Sequence, residues 1–172
     1  MNLAALADDW LYLLVGTFPE GPPGGALLTL ILSATSGLAS AVLGLVLGIA
    51  LAMGSGPWAT LLHTVLGFLR AIPVLMLIFW IYFLLPMLFG MDVPGTVSVV
   101  CALSLIGGAY LAHAVAAGIH AVPQGQWDAG RALGMDRWQV LRWLVLPLAL
   151  TAMLPSLVNQ WVTLIKDSSL AY

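Results

Sequence analysis

The sequence predicts an all-α, polytopic transmembrane helical bundle. Three observations predict it. Of 172 residues, 62% are hydrophobic and only 7% are charged. A soluble domain carries roughly 25% charged residues and about 45–50% apolar ones, so this chain has too few charges to build a water-facing surface. The mean hydropathy is +1.06. Finally, the apolar residues gather into runs of the length a bilayer demands, about 20 residues per spanning helix.

Four such runs occur: Ala26 to Met53, Ala71 to Met91, Val93 to Ile119 and Trp143 to Ile165. They predict transmembrane helices over 26–53, 71–91, 95–119 and 146–165, with a cytoplasmic loop over 121–143, all in one domain covering 1–172. The first 25 residues read as an external segment. Asp8, Asp9 and Glu20 bracket Trp10 to Phe18, which is too short to span and suits an interfacial helix. The Pro22-Pro23-Gly24-Gly25 turn follows it. No Lys or Arg precedes Arg70, so the basic start of a signal peptide is absent.

In the first run, Ser36, Ser40, Gly44, Gly48 and Ala52 recur every four residues and share one helix face. Small side chains let helix backbones approach closely in lipid. Packing within the chain is the first reading, a subunit interface the second. Cys101 has no partner for an internal disulfide and reads as a small core residue.

The five basic residues set the orientation. Arg131, Arg137 and Arg142 cluster between the third and fourth runs, which places that loop in the cytoplasm. Counting back, the N-terminus and the 90–94 turn face outside. Arg70 then reads as an anchor at the inner end of the second span, with a place in an inner vestibule as the alternative. Lys166, near the outer end of the fourth span, is the one charge against the rule.

The loop itself reads as two short helices. The first begins after Pro123 and ends at Gly134, since proline suits a helix start and glycine a helix end. The second opens with Asp136 as N-cap and Gln139 three residues on, a capping box. Trp138, Leu141 and Val145 then fall on one face, and Pro147 can open the fourth span. A short helix with small residues at Ala129, Gly130 and Ala132 and a charge at Asp128 suits docking into a groove on a partner; a plain connector is the alternative.

In the fourth run, Asn159, Gln160, Lys166 and Asp167, with Ser168 beside them, are polar groups in an apolar setting and therefore candidates for a substrate path. Helix–helix hydrogen bonding is the competing account. Pro155 is placed to kink this helix. The chain carries no Walker A motif and no Ser-His-Asp arrangement. His63, His113 and His120 are too scattered in sequence to suggest zinc. With a net charge of −2 and no basic patch, nucleic acid is not an expected partner.

The loop carries a resemblance. Asp128-Ala129-Gly130, three residues, Gly134, nine residues, Leu144, one residue and Leu146-Pro147 resembles the EAA loop of ABC importer permeases in spacing throughout. Asp128, Gly130 and Leu144 stand where that pattern has Glu, Ala and Ile. Phe68-Leu-Arg-Ala-Ile-Pro73, Gly108-Ala-Tyr-Leu-Ala112, Ala117 to Trp127, Asn159-Gln-Trp161 and Lys166-Asp-Ser-Ser-Leu170 are similar to segments of the polar-amino-acid branch of that family. His113 stands where the family usually has a carboxylate, and Ala116 where it usually has Arg.

The resemblance implies a type I ABC importer permease fold in the inner (plasma) membrane. It implies a transporter subunit rather than an enzyme, with ATP and Mg held by separate ATPase subunits and no cofactor in this chain. The implied partners are those ATPases, a second permease subunit in a homo- or heterodimer, an extracytoplasmic solute-binding protein, and a small polar amino acid such as glutamine, glutamate or aspartate. Asp128, Ala129, Gly130, Gly134, Leu146 and Pro147 become the coupling residues. The family also has a fifth span, so this chain, ending at Tyr172, reads as a fragment or truncated product. A stand-alone secondary transporter would need paired ionisable residues at mid-membrane, and these are scarce; a non-transporting scaffold would not need the loop spacing.

The orientation has a direct check. In a Cys101→Ala background, a cysteine introduced as Gln124→Cys should resist a membrane-impermeant thiol reagent in intact cells and react once the cells are opened. Ready labelling from outside overturns it.

Overall fold

A computed structural model describes residues 10–90 and 93–169. Asp8, Asp9, Met91 and Leu170, invoked above, lie outside them. The described chain is helical: α1 (Trp10–Val15), α2 (Gly25–Met53), α3 (Gly56–Ala71), α4 (Val74–Phe89), α5 (Gly95–Ala121), α6 (Gln124–Ala132) and α7 (Arg137–Ser168). Helices α2, α5 and α7 are each long and apolar enough to cross a bilayer, and α3 with α4 forms a bent apolar pair, the shape of a broken span or a re-entrant loop.

α5 is the centre, and α2 packs along it. All five members of the small-residue stripe, Ser36, Ser40, Gly44, Gly48 and Ala52, are buried. A Cβ on Gly48 would come within 2.5 Å of Val115 Cβ, and one on Gly108 within 2.9 Å of Leu43 Cβ. The two backbones therefore meet at a distance only glycine and serine allow. Ser40 Oγ, buried between them, donates to the carbonyls of Leu103 and Ser104 at 3.3 and 3.4 Å. The stripe thus serves packing within the chain. α7 closes the other side: Gly118 of α5 faces Met153, and Ala52, Val115, Ala116, Ile119, Val140, Leu141, Val145 and Ala149 complete one apolar cluster. Ala116, buried in that cluster, leaves no room for an arginine.

The span expected over 71–91 is helical from Val74 to Phe89, but a further helix, α3, precedes it and the chain bends by 98° between the two. Pro73 is the cause. It disfavours helical geometry in the residue before it, and Ile72 is extended (φ −78°, ψ 127°). Counting apolar residues could not register this, because both arms are apolar.

Two π-helical turns interrupt otherwise regular helix: Trp80–Leu84 in α4 and Leu141–Val145 in α7. Each is followed at once by Leu-Pro, at Leu85-Pro86 and Leu146-Pro147. A proline inside a helix loses one N–H and its ring presses on the carbonyl four residues back. A wider turn relieves that clash. The N–H of Leu85 bonds the Trp80 carbonyl, and that of Leu146 the Leu141 carbonyl, five residues back in each case. Pro147 thus lies inside a continuous helix rather than starting one. Leu141 and Val145 are buried, but Trp138, expected on their face, is 62% exposed. Cys101 likewise departs from expectation; it is exposed, on the side of α5 turned away from the core. α1 and the Pro22–Gly25 turn stand where the interfacial helix is expected, and Trp10 to Leu14 all remain exposed.

The α2–α5 contact sets a stability test. Gly48→Val should lower stability by about 1–3 kcal/mol, the usual cost of overpacking, read as thermal unfolding in detergent. Gly67, whose Cβ would meet nothing within 4 Å, is the control: Gly67→Ala should be neutral or stabilising by up to about 1 kcal/mol. Equal effects at both positions would remove the close-approach argument.

Candidate substrate cavity and cytoplasmic loop

The break between α3 and α4 opens a cavity of about 510 Å³ against α5 and α7. Arg70, Pro73 and Val74 come from the break, Ile106 and Tyr110 from α5, and Asn159, Gln160, Thr163 and Asp167 from α7. The α7 residues recur at intervals of three and four, so one face of the helix supplies them. Lys166 and Ser168 flank Asp167 and so point elsewhere. Lys166 is exposed outside the cavity lining, and Ser168 is fully buried with its hydroxyl donating to the Ile165 carbonyl at 2.7 Å. Of the five α7 and outer-end residues expected on a substrate path, three meet here and two do not.

Arg70 and Tyr110 meet at the edge of the break. The Arg70 guanidinium lies over the ring of Tyr110, 4.6 Å from the centroid, and the Tyr110 hydroxyl donates to the Arg70 carbonyl at 3.5 Å. Arg70 is itself exposed and lines the cavity from the end of α3. Among the described residues, no carboxylate lies within ion-pair distance of Arg70. The cavity lining thus includes a cation from the α3–α4 break, and from α7 the Asp167 carboxylate and two side-chain amides. Tyr110 and Thr163 gave no signal in sequence.

At the cytoplasmic end, α6 terminates in a Schellman motif. Gly134 has φ +78°. Its N–H bonds the Arg131 carbonyl at 2.9 Å, and the Met135 N–H bonds the Gly130 carbonyl at 3.1 Å, satisfying carbonyls that a helix end leaves open. The Asp136 carboxylate then accepts from the N–H groups of Trp138 and Gln139 at 2.7 and 3.0 Å, while the Gln139 side chain accepts from the Asp136 N–H at 2.9 Å. The expected capping box is present in full. Gly130 is buried, and a Cβ there would come within 2.6 Å of Val140 and 3.0 Å of Leu144. It is a packing residue that holds α6 against the start of α7. Asp128 and Ala129 face outward, Asp128 3.8 Å from Arg131, and Leu133 at the tip is 81% exposed. Leu146 is half-buried against the core, and Pro147 is exposed beside the π turn.

A broken-helix cavity in a polytopic bundle, with a rigid cytoplasmic helix pair beneath it, is the build of a membrane permease. Residues 44–172 match the family described as binding-protein-dependent transport system inner membrane component, and this chain belongs to it. It is 37% identical over 150 residues to the glutamine transport system permease protein GlnP of Escherichia coli K12, covering 85% of this chain and 67% of that protein. It is 33% identical to the glutamate/glutamine/aspartate/asparagine transport system permease protein BztC of Rhodobacter capsulatus, over 86% of this chain and 34% of that one. The glutamate/aspartate import permease protein GltK of Escherichia coli O157:H7 is 31% identical over 86% of this chain and 69% of its own.

Among solved structures, an amino acid ABC transporter crystallised with histidines superposes with a TM-score of 0.81 at 27% identity, covering 99% of this chain and 75% of that one. The inward-facing MetNI methionine ABC transporter, at a TM-score of 0.74, 22% identity and 84% and 69% coverage, shares the fold. The chain is accordingly an ABC importer permease subunit of the inner membrane with a type I fold. Such permeases work with a separate ATPase and with a binding protein.

Proposed function

We propose that this chain conducts a polar amino acid, neutral or acidic, through the cavity at the α3–α4 break. The observation that carries the reading is that one cavity is lined by both charges: Arg70 from the α3–α4 break and Asp167 from α7. A zwitterion presents one carboxylate and one ammonium, and each finds an opposite charge here. Arg70 suits the carboxylate, since a guanidinium binds it through two parallel hydrogen bonds. Asn159 and Gln160 supply donors and acceptors for a side-chain amide or carboxyl group. A basic substrate would bring a second cation, and an unpaired charge in a low-dielectric site costs several kcal/mol. The names of the relatives GlnP, BztC and GltK support the same substrate class.

In this reading a solute-binding protein delivers the amino acid from outside, and a second permease subunit, identical or related, completes the path. The ATPases dock on α6 through the outward face of Asp128, Ala129 and Leu133. Gly130, Gly134, Leu146 and Pro147 keep that helix rigid against α7, so movement of the ATPase reaches the cavity wall.

The substrate reading is tested with the intact importer in proteoliposomes. Arg70→Gln should cut uptake about ten- to a hundredfold, the value of a charge-assisted hydrogen bond of about 1.5–3 kcal/mol, while Lys166→Gln should leave it unchanged. Gln160→Glu should improve tolerance for cationic substrates. A wild-type preference for arginine or lysine over glutamine and glutamate would sink the proposal.

The docking reading has its own check. Gly134→Val forces a β-branched residue into positive φ, which costs about 1–3 kcal/mol, and should separate ATP hydrolysis from transport. Gly134→Asn, which tolerates that geometry, should keep them linked. Normal transport by the valine variant would rule out α6 as the transmitting element.

A further inference from the structure

Basic side chains from three helices line one small cavity at the loop end of the bundle. It measures about 160 Å³, and its lining includes His120 of α5, Gln124, Trp127 and Arg131 of α6, and Arg137 of α7. The rest of the lining is apolar and comes from the ends of α2 and α5. No carboxylate is among these residues. The two nearby in sequence have partners. Asp136 accepts from the N–H groups of Trp138 and Gln139. Asp128 accepts from the Gln124 side chain at 3.5 Å and lies 3.8 Å from Arg131. That ion pair is exposed on both sides, and such pairs are worth little. Among the described residues, neither His120 nor Arg137 has a side-chain hydrogen bond or an ion pair.

The helix ends do not supply the missing negative charge. α2 and α5 end at this cavity while α6 and α7 begin at it, so negative and positive dipole ends oppose one another. The side chains decide the sign, and they select an anion. Guanidinium groups hold phosphate through paired hydrogen bonds, and the rings of His120 and Trp127 carry N–H donors. On the reading that residues 121–143 face the cytoplasm, the ends of α2 and α5 lie at the inner membrane surface, level with the phospholipid phosphates. Basic pockets between membrane helices on that side take anionic head groups. Trp138 and Trp143, both exposed near the start of α7, fit the same level, because tryptophan gathers at the interface.

We propose that His120, Arg131 and Arg137 form a pocket for a phosphate group, carried by an anionic phospholipid of the inner leaflet or by free phosphate. Bound there, the phosphate bridges the end of α5, the loop helix α6 and the start of α7, and so stiffens the joint between loop and bundle. Asp128, Ala129 and Leu133, the face assigned to the ATPase, take no part in the lining. The cytoplasmic placement of the loop bears only on which phosphate is met. Binding in detergent does not depend on orientation, so this proposal and the labelling of Gln124→Cys fail independently.

The test uses the purified intact importer in detergent, with the ATPase sites filled by MgADP throughout. Its melting temperature is followed in two titrations. One compares sodium phosphate with sodium chloride at matched ionic strength. The other compares dioctanoyl phosphatidylglycerol with dioctanoyl phosphatidylcholine, whose choline a cationic pocket disfavours. A saturable rise over the matched control is expected in at least one arm, and the arm that responds at lower concentration identifies the source. Arg131→Gln and Arg137→Gln should each weaken the response about tenfold or more. Arg142→Gln, which removes a cation of the same loop outside the lining, should leave it unaltered. All three arginines are exposed, so the variants should melt like the parent without added ligand. No saturable response below about 1 mM in either arm, or equal weakening by Arg142→Gln and Arg137→Gln, would overturn the proposal. So would a parent without the response whose Arg137→Gln variant sheds the ATPase, because the pocket would then be filled by an acidic side chain of that partner.

Discussion

The close approach of α2 to α5 is the contact on which the rest of the bundle depends. Lipid offers no hydrophobic force to press helices together, so association in the membrane rests on packing and on polar contacts between helices. Gly44, Gly48, Gly107 and Gly108 remove the side chains that would hold the two backbones apart. Ser40 then reaches a pair of carbonyls on the neighbouring helix. With that pair fixed, α7 seats on the far side of α5 through Gly118 and Met153. α3 lies on a further face through Leu66, Ala109 and Ala112. The cavity exists because α3 is held there and then stops.

What could be read from sequence follows from how local its cause is. The stripe of small residues has a period of four, and a period is visible without a fold. The Schellman glycine at Gly134 and the capping box of Asp136 and Gln139 are set by residues within a turn of one another, and both formed as the spacing dictates. Span counting is also local, but it measures apolar content and not direction. It therefore found the arm beyond Pro73 and gave no place to the helix before it, which meets that arm at 98°.

The remaining misses have a common origin. Tyr110 and Thr163 acquire meaning only when α5 and α7 meet the α3–α4 break. His120, Arg131 and Arg137 come from three helices and share a cavity only once these are packed. Cys101 lies in an apolar run, and nothing in that run says which side of α5 faces lipid. Gly130 is the instructive reverse case. Read alone, a glycine in a helix loosens it. Read against Val140 and Leu144, it is the gap through which two helices touch.

The two wide turns ahead of Pro86 and Pro147 carry a consequence for alignment as well as for shape. Each accommodates one residue more than a regular turn, so everything beyond it is set round by roughly 100°, one residue's worth at 3.6 per turn. A heptad ruler laid along α7 from the loop would assign the cavity face to the wrong side of the helix. Removing a single residue between Leu141 and Val145 would shorten the rod by only about 1.5 Å. It would nonetheless wheel Asn159, Gln160 and Asp167 away from Arg70. Azimuth, more than length, is what this segment conserves between the cytoplasmic loop and the chamber above it.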